Sequence, residues 1–190
     1  MDLPIFINEK VNLESFIDYW CKLYSYPDEN LYEESINKSA FINDDLHKLF
    51  AWKNGMKLSK LKTKSLEEKV ISKLKIINHQ KGLKQFDLEF FLNEFQNVSF
   101  VWKIFLLHII RPNEYPIYDQ HINRAYNYIH GKEYRNITNT ISDKKKFEFY
   151  FNDFLPFVKS IGITDMRKID KAFFAFGQFI NTRNQVILIK

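Results

Sequence analysis

Cysteine is almost missing from this chain: Cys21 is the only one in 190 residues. A disulfide within the chain is excluded, and so is any zinc or iron–sulfur centre built on four thiolates. A lone cysteine of this kind reads as a core thiol of a cytoplasmic protein. Glycine and proline are also scarce, five of each, which argues against an all-β chain rich in tight turns. No apolar run approaches the ~20 residues that a membrane-crossing helix needs. The longest, Ile104 to Ile110, is short and interrupted by His108, so no membrane partner is expected. The opening MDLPIFINEK has no basic stretch followed by an apolar one, so it does not read as a signal peptide. A glycine-rich phosphate loop and a G-x-S-x-G turn are both missing, which leaves nucleotide-driven chemistry and hydrolase triads without support. His108, His121 and His130 fall on different segments or faces with no partner at ligand spacing, so neither a metal nor a cofactor is expected.

What is abundant is apolar and aromatic. Hydrophobic residues make up 45% of the chain and aromatics 17%, with 19 Phe and 10 Tyr. That is ample for one core, and 27% charged residues mark a globular rather than a disordered protein. The net charge of +5 is a mild basic bias, compatible with a polyanionic partner and no more.

Hydrophobic periodicity and capping signals predict an all-α fold of about eight or nine short helices, one domain over residues 1–190 whose helices form two lobes on a shared core. After an extended lead-in, Asn12 caps a helix over 13–24, and others follow over 29–36 and from Asn43 or Asp44 to Asn54, where Gly55 suits a left-handed stop. Lys57, Lys60, Lys62 and Lys64 then form a basic run, read as a solvated loop or as a set of phosphate contacts. Ser65 and Glu68 suggest a capping box for a helix over 66–80. Short apolar helices follow, then one over 144–159 that Pro156 kinks or breaks, and one over 166–179. Residues 132–141 look like a polar loop, and the tail Gln185–Lys190 suits a short strand or an interface segment.

The chain is organised around residues 93–130. An almost wholly apolar helix, about Ser99 to Ile110, runs into Arg111-Pro112-Asn113-Glu114-Tyr115-Pro116, which cannot continue it because each proline lacks an N–H and restricts the residue before it. The turn delivers Asp119 to the start of an amphipathic helix, with His121 and Arg124 on one face behind it. Asp119 has two compatible readings. It is a good helix N-cap, and a carboxylate there can also stabilise a developing cation or take a proton from water.

The segment Pro116-Ile117-Tyr118-Asp119-Gln120-His121-Ile122-Asn123-Arg124-Ala125 resembles the catalytic stretch of the helix–hairpin–helix DNA glycosylase superfamily, of the form [IV]-D-T-H-[VI]-x-R-[VA]. Asp119, His121, Ile122 and Arg124 carry the likeness; Gln120 replaces the usual Thr and Tyr118 the usual aliphatic. The resemblance implies a glycosylase-like helical fold, DNA as partner, and Asp119 as the carboxylate that promotes loss of a flipped, modified base. It puts Asn97, Ser99, Lys103 and Arg124 with the four lysines against DNA, and Trp102, Tyr115, Tyr118 and His121 around a pocket. The family's hairpin would fall on Phe95-Gln96-Asn97-Val98-Ser99, where neither hairpin glycine is present, and its imine-forming lysine would fall on Val101. A monofunctional glycosylase is one expectation. A non-enzymatic DNA- or protein-binding helical protein on the same scaffold is the other, and it expects a plugged cleft and an Asp119 that only caps. A second, weaker likeness, Arg167 to Gly177, would use Asp170 to fix its helix against the other lobe rather than in catalysis.

Overall fold

The structure is a computed structural model and describes residues 11–132 and 141–181. The expected lead-in over 1–10, most of the loop over 132–141 and the tail over 185–190 lie outside the described residues. Every regular element among the described residues is a helix, without a strand: α1 Leu13–Lys22, α2 Glu29–Ile36, α3 Asn43–Asn54, α4 Lys60–Lys69, α5 Leu74–Gly82, α6 Leu88–Glu94, α7 Phe100–Ile110, α8 Gln120–Ile129, α9 Asp143–Phe149, α10 Leu155–Ser160 and α11 Met166–Phe179. A 3₁₀ turn at Ile71–Lys73 links α4 to α5, and a π turn at Tyr150–Phe154 joins α9 to α10, so about nine separate rods result. Buried side chains from α1 to α11 form one continuous core.

Helix starts follow local chemistry. Asn12, Asp87, Ser142 and Asp165 each accept the backbone N–H three residues on, which satisfies one of the four orphan donors of a helix start. Gly55 closes α3 with φ +69°, a left-handed conformation that costs glycine no side-chain clash.

Two expectations about the middle of the chain are corrected. The lysine run is not a loop: Ser59, not Ser65, is the cap, accepting from Lys62 N–H at 3.3 Å, and Lys60–Lys69 is helical. The expected helix over 66–80 is broken at Val70 (φ −121°, ψ −59°). Leu66, Val70, Ile71 and Ile77 are all buried. A straight helix would carry Ile71 away from the stripe that the other three share, and the break re-aims it inward. Tertiary burial therefore overrides the local capping signal. Pro156 does not end the rod over 143–160, but the α-helix is interrupted just before it by the π turn Tyr150–Phe154. The proline sits in the first turn of α10, immediately after the π turn, where the wider backbone spacing accommodates its missing N–H.

α7 is the buried axis. Ile104, Phe105, Leu106, Leu107 and Ile109 are fully inaccessible, as expected of a helix apolar all round. Each large side chain so buried is worth about 1.5–3 kcal/mol of transfer free energy. The turn after α7 is pinned at four points. Arg111 donates to the carbonyls of Gln80 and Leu83. His108 Nδ1 meets the Tyr115 carbonyl at 2.9 Å. Tyr150 donates its hydroxyl to the Pro116 carbonyl at 2.8 Å, and the Ile117 N–H donates to Asp170 Oδ2 at 3.2 Å. The last of these ties α11 to the turn, the fixing role expected of Asp170. A carbonyl can only accept, so His108 carries its proton on Nδ1, and Nε2 then accepts from the Tyr32 hydroxyl at 2.7 Å. Complete burial keeps this imidazole neutral, with its pKa pushed down to about 3. α8 and α1 both pack on α11, which closes the core over the turn.

Candidate functional site

The pinned turn sets Asp119 in extended conformation at the mouth of α8. Its Oδ1 accepts the N–H groups of His121 (2.9 Å) and Ile122 (3.1 Å), so the carboxylate is a true N-cap. Its Oδ2 meets Lys53 Nζ at 3.1 Å. Lys53 comes from the last turn of α3, and its side chain is only 7% exposed against 19% for Asp119. Burial pushes the Asp119 carboxyl up, but the Lys53 ammonium and the Ile122 N–H outweigh it and hold the group below the usual carboxylate range. Asp119 is therefore ionised at neutral pH. Burial depresses His121 against the pull of Asp119. The His121 ring rests 4.8 Å from that of Phe174, and its Nδ1 faces Arg124 Nη1 at 3.1 Å, so Nδ1 accepts and the ring is neutral.

A second charged cluster lies behind the first. Glu29 accepts from the Tyr24 hydroxyl (2.8 Å), Trp52 Nε1 (3.0 Å) and Arg167 Nη2 (2.7 Å), and pairs with Lys171 at 3.4 Å. Burial raises the Glu29 carboxyl, and Arg167 more than offsets this. The Arg167 guanidinium lies among the rings of Tyr24, Tyr32 and Trp52, 4.8–5.1 Å from each centroid. Adjacent residues of α3 thus serve the two clusters: Trp52 the guanidinium, Lys53 the carboxylate.

Two spaces meet at the Lys53–Asp119 pair. An open cleft of about 370 Å³ is lined by Tyr26, Asn54, Gln120, His121 and Phe174, among others, together with the pair itself. Behind it sits a chamber of about 20 Å³ that also reaches Arg167 and Asp170. Tyr26, Lys53, Asp119 and Phe174 line both. The cleft can admit a group the size of a nucleobase; the chamber cannot.

The other residues singled out from the sequence fall in three places. Lys57, Lys60, Lys62 and Lys64 are exposed, and Lys62 Nζ contacts Asn54 Oδ1 on the cleft rim at 2.5 Å. Asn97 and Ser99 are exposed in the turn before α7, where the Phe100 N–H donates to Asp143 Oδ2 at 3.1 Å. Lys103 and Arg124 are not on the surface. Lys103 is 8% exposed and donates to the Gln96 carbonyl, with burial lowering its pKa, and Arg124 is 4% exposed beside His121. Of the four pocket residues, His121 alone lines the cleft. Trp102 packs on Phe50, Tyr115 between Phe86 and Phe151, and Tyr118 is buried with its hydroxyl donated to Asn123 Oδ1. The aromatic lining comes instead from Tyr26 and Phe174, far apart in the chain, whose rings meet edge to face at 5.2 Å.

Comparisons with protein-family models, with curated proteins and with solved structures find no match. Among the described residues no helix is long and apolar enough to cross a membrane, and no three His, Cys, Asp or Glu side chains come together as a metal site.

Proposed function

We propose that this protein binds DNA and removes a modified base by hydrolysing its N-glycosidic bond, with Asp119 as the carboxylate of the reaction. The observation that carries this reading is an ionised carboxylate, capped by two backbone N–H groups and braced by Lys53, on the wall of a cleft of about 370 Å³ that Tyr26 and Phe174 also line. Cleavage of an N-glycosidic bond builds positive charge on the sugar. A fixed negative charge in a partly desolvated cleft stabilises that charge without reorganising as it forms. The Tyr26 and Phe174 rings, packed edge to face at 5.2 Å, offer a flipped base an aromatic surface to rest against. The lysine-bearing start of α4 borders the same cleft through Lys62 and Asn54, as a partner with a phosphate backbone requires. The Asp-x-His-Ile-x-Arg likeness to helix–hairpin–helix glycosylases supports the same assignment.

A specific feature favours a second reading, a non-enzymatic DNA-binding protein on this scaffold. Both Asp119 oxygens are already engaged, and the Phe100 N–H that follows the hairpin segment is covered by Asp143 rather than open to a phosphate. The test compares the intact protein with Asp119→Asn on duplexes carrying alkylated or deaminated bases, scoring free base released and duplex affinity together. Release by the intact protein that vanishes in Asp119→Asn, with affinity kept, supports the glycosylase. Equal release by both overturns the role of Asp119. Binding without release by either leaves the second reading.

A further inference from the structure

Two residues that line the chamber behind Asp119 each carry a buried polar atom with no partner among the described residues. Asp170 Oδ1 and Arg167 Nε are both buried and both lack a hydrogen bond, and both residues line the chamber of about 20 Å³. Asp170 is 1% exposed. An unpaired buried donor or acceptor costs roughly 1–3 kcal/mol, so two of them on one cavity wall need an occupant. The volume suits one water molecule and little else, because a water needs a cavity of roughly 10–15 Å³ or more and two to four polar partners. An apolar occupant would leave both atoms unsatisfied. A cation would face Arg167 and Lys53, and an anion would face Asp119 and Asp170.

We propose that the chamber is a built site for a single water molecule, which accepts from Arg167 Nε and bridges it to Asp170 Oδ1, and that Asp170 is a second carboxyl of the chamber wall, held in its neutral acid form beside the ionised Asp119.

The protonation follows from what surrounds each carboxyl. Asp119 has two backbone N–H donors and a direct ammonium contact. Asp170 has one backbone N–H on Oδ2 and no cation within hydrogen-bond reach. The groups that face it are Arg167 on its own helix, Lys53 from α3, Asp119 ahead of α8, Tyr32 from α2 and Tyr150 from the π turn. Burial dominates this set and pushes the Asp170 carboxyl up to about 8, with Asp119 adding to the rise and Arg167 and Lys53 opposing it. Two like groups near one cavity separate in this way because ionising both is unfavourable. As an acid, Asp170 Oδ1 donates to the water, and Oδ2 keeps the Ile117 N–H. The assignment does not depend on Asp119 being catalytic.

The test is a high-resolution crystal structure of the whole chain at pH 6, together with carbon-13 NMR titration of the Asp side-chain carboxyls. The expected result is one water within hydrogen-bond distance of Arg167 Nε and Asp170 Oδ1, and one Asp resonance titrating near pH 8. Asp170→Asn, which replaces the acid by a neutral isostere with a donor, should abolish that resonance and keep the water. Asp119→Asn should move its midpoint to lower pH by removing the neighbouring negative charge. An empty chamber overturns the proposal, as does Arg167 swung into direct contact with Asp170, or an Asp170 resonance already ionised at pH 5. The first variant is informative only if it folds, but the titration and density of the intact protein decide the matter without it.

Discussion

Gly177 of α11 lies against the backbone of His121 at the point where the two helices cross. A Cβ built at Gly177 would overlap the His121 carbonyl oxygen and lie 2.9 Å from the His121 Cα. Backbone cannot yield as a flexible side-chain tip can, so the helices approach this closely only with glycine here. The crossing sets the distance between α11, which carries Arg167, Asp170 and Phe174, and the first turn of α8, which Asp119 caps. Gly177→Ala should therefore cost on the order of 2–4 kcal/mol despite the better helix propensity of alanine. Urea unfolding would measure it, and a stabilised Gly177→Ala would show that the two backbones can part without loss.

The Lys53–Asp119 pair makes a sharper energetic prediction. Removing Asp119 takes away an N-cap worth about 1 kcal/mol and strands an ammonium that is 7% exposed. Breaking a buried pair from one side costs roughly 3–5 kcal/mol. Asp119→Ala should fall in that range. Lys53→Met keeps the stem and strands a carboxylate that still has its two N–H partners, so it should cost less. The double variant should then be clearly more stable than the sum of the singles implies, by about 1–3 kcal/mol. Additive losses would mean that the pair contributes nothing beyond its separate residues.

Much of the site's local half is legible in the sequence. The apolar run of α7, the two prolines and the aspartate before an amphipathic stretch each act within a few residues, so Asp119 as a cap and the helical class are both readable. Its other half is not. Lys53 lies 66 positions before Asp119, and nothing in Ala51-Trp52-Lys53-Asn54 distinguishes that lysine from the others of its region. Trp102, Tyr115 and Tyr118 look like pocket residues because they flank Asp119 in sequence. A helix whose faces are all buried turns its neighbours into core, however, and the walls fall to Tyr26 and Phe174. Lys103 and Arg124 do not reach the surface for a similar reason: charge marks a residue as polar, and only packing decides where its stem lies. The lysine run misleads because Ser65 and Glu68 satisfy a capping pattern that Ser59 and the burial of Leu66 override.

If α4 meets DNA, its lysines should carry the salt dependence and little of the fold. Lys60, Lys62 and Lys64 are exposed, and their neighbours are Asn54 and Glu68 at the surface. Exposed pairs of this kind contribute under about 1 kcal/mol. Replacing all three by Gln should leave the unfolding midpoint nearly unchanged. The slope of log K against log salt should shrink in magnitude by up to about 3, near 0.9 for each phosphate that is no longer neutralised. An unchanged slope would move the DNA surface elsewhere on the molecule.

Stability should respond to pH through two buried groups with opposite signs. His108 has its pKa pushed down to about 3 in the folded protein, against about 6.5 in an unfolded chain. On acidification the unfolded chain takes up that proton first, so His108 makes stability fall as pH drops from about 6.5 towards 3. Asp170 is raised to about 8 from an ordinary value of 3.8. There the folded state holds the extra proton, so its contribution is complete below about 4 and is lost as pH rises to about 8. Between roughly pH 4 and 6.5 these two slopes, each up to about 1.4 kcal/mol per pH unit, oppose each other, and the depressed His121 adds to the rise with pH. Above about 6.5 Asp170 acts alone and stability should decline towards pH 8. Below about 4 the depressed carboxyls of Asp119 and Asp45 join His108 in the acid loss. His108→Gln keeps a donor for the Tyr115 carbonyl and an acceptor for the Tyr32 hydroxyl but cannot be charged. It should tilt the mid-range profile towards a fall with rising pH, while Asp170→Asn should tilt it towards a rise. Unfolding free energies measured from pH 4 to 8 would check both. A profile that neither substitution tilts would mean that neither group holds its proton differently in the folded and unfolded states.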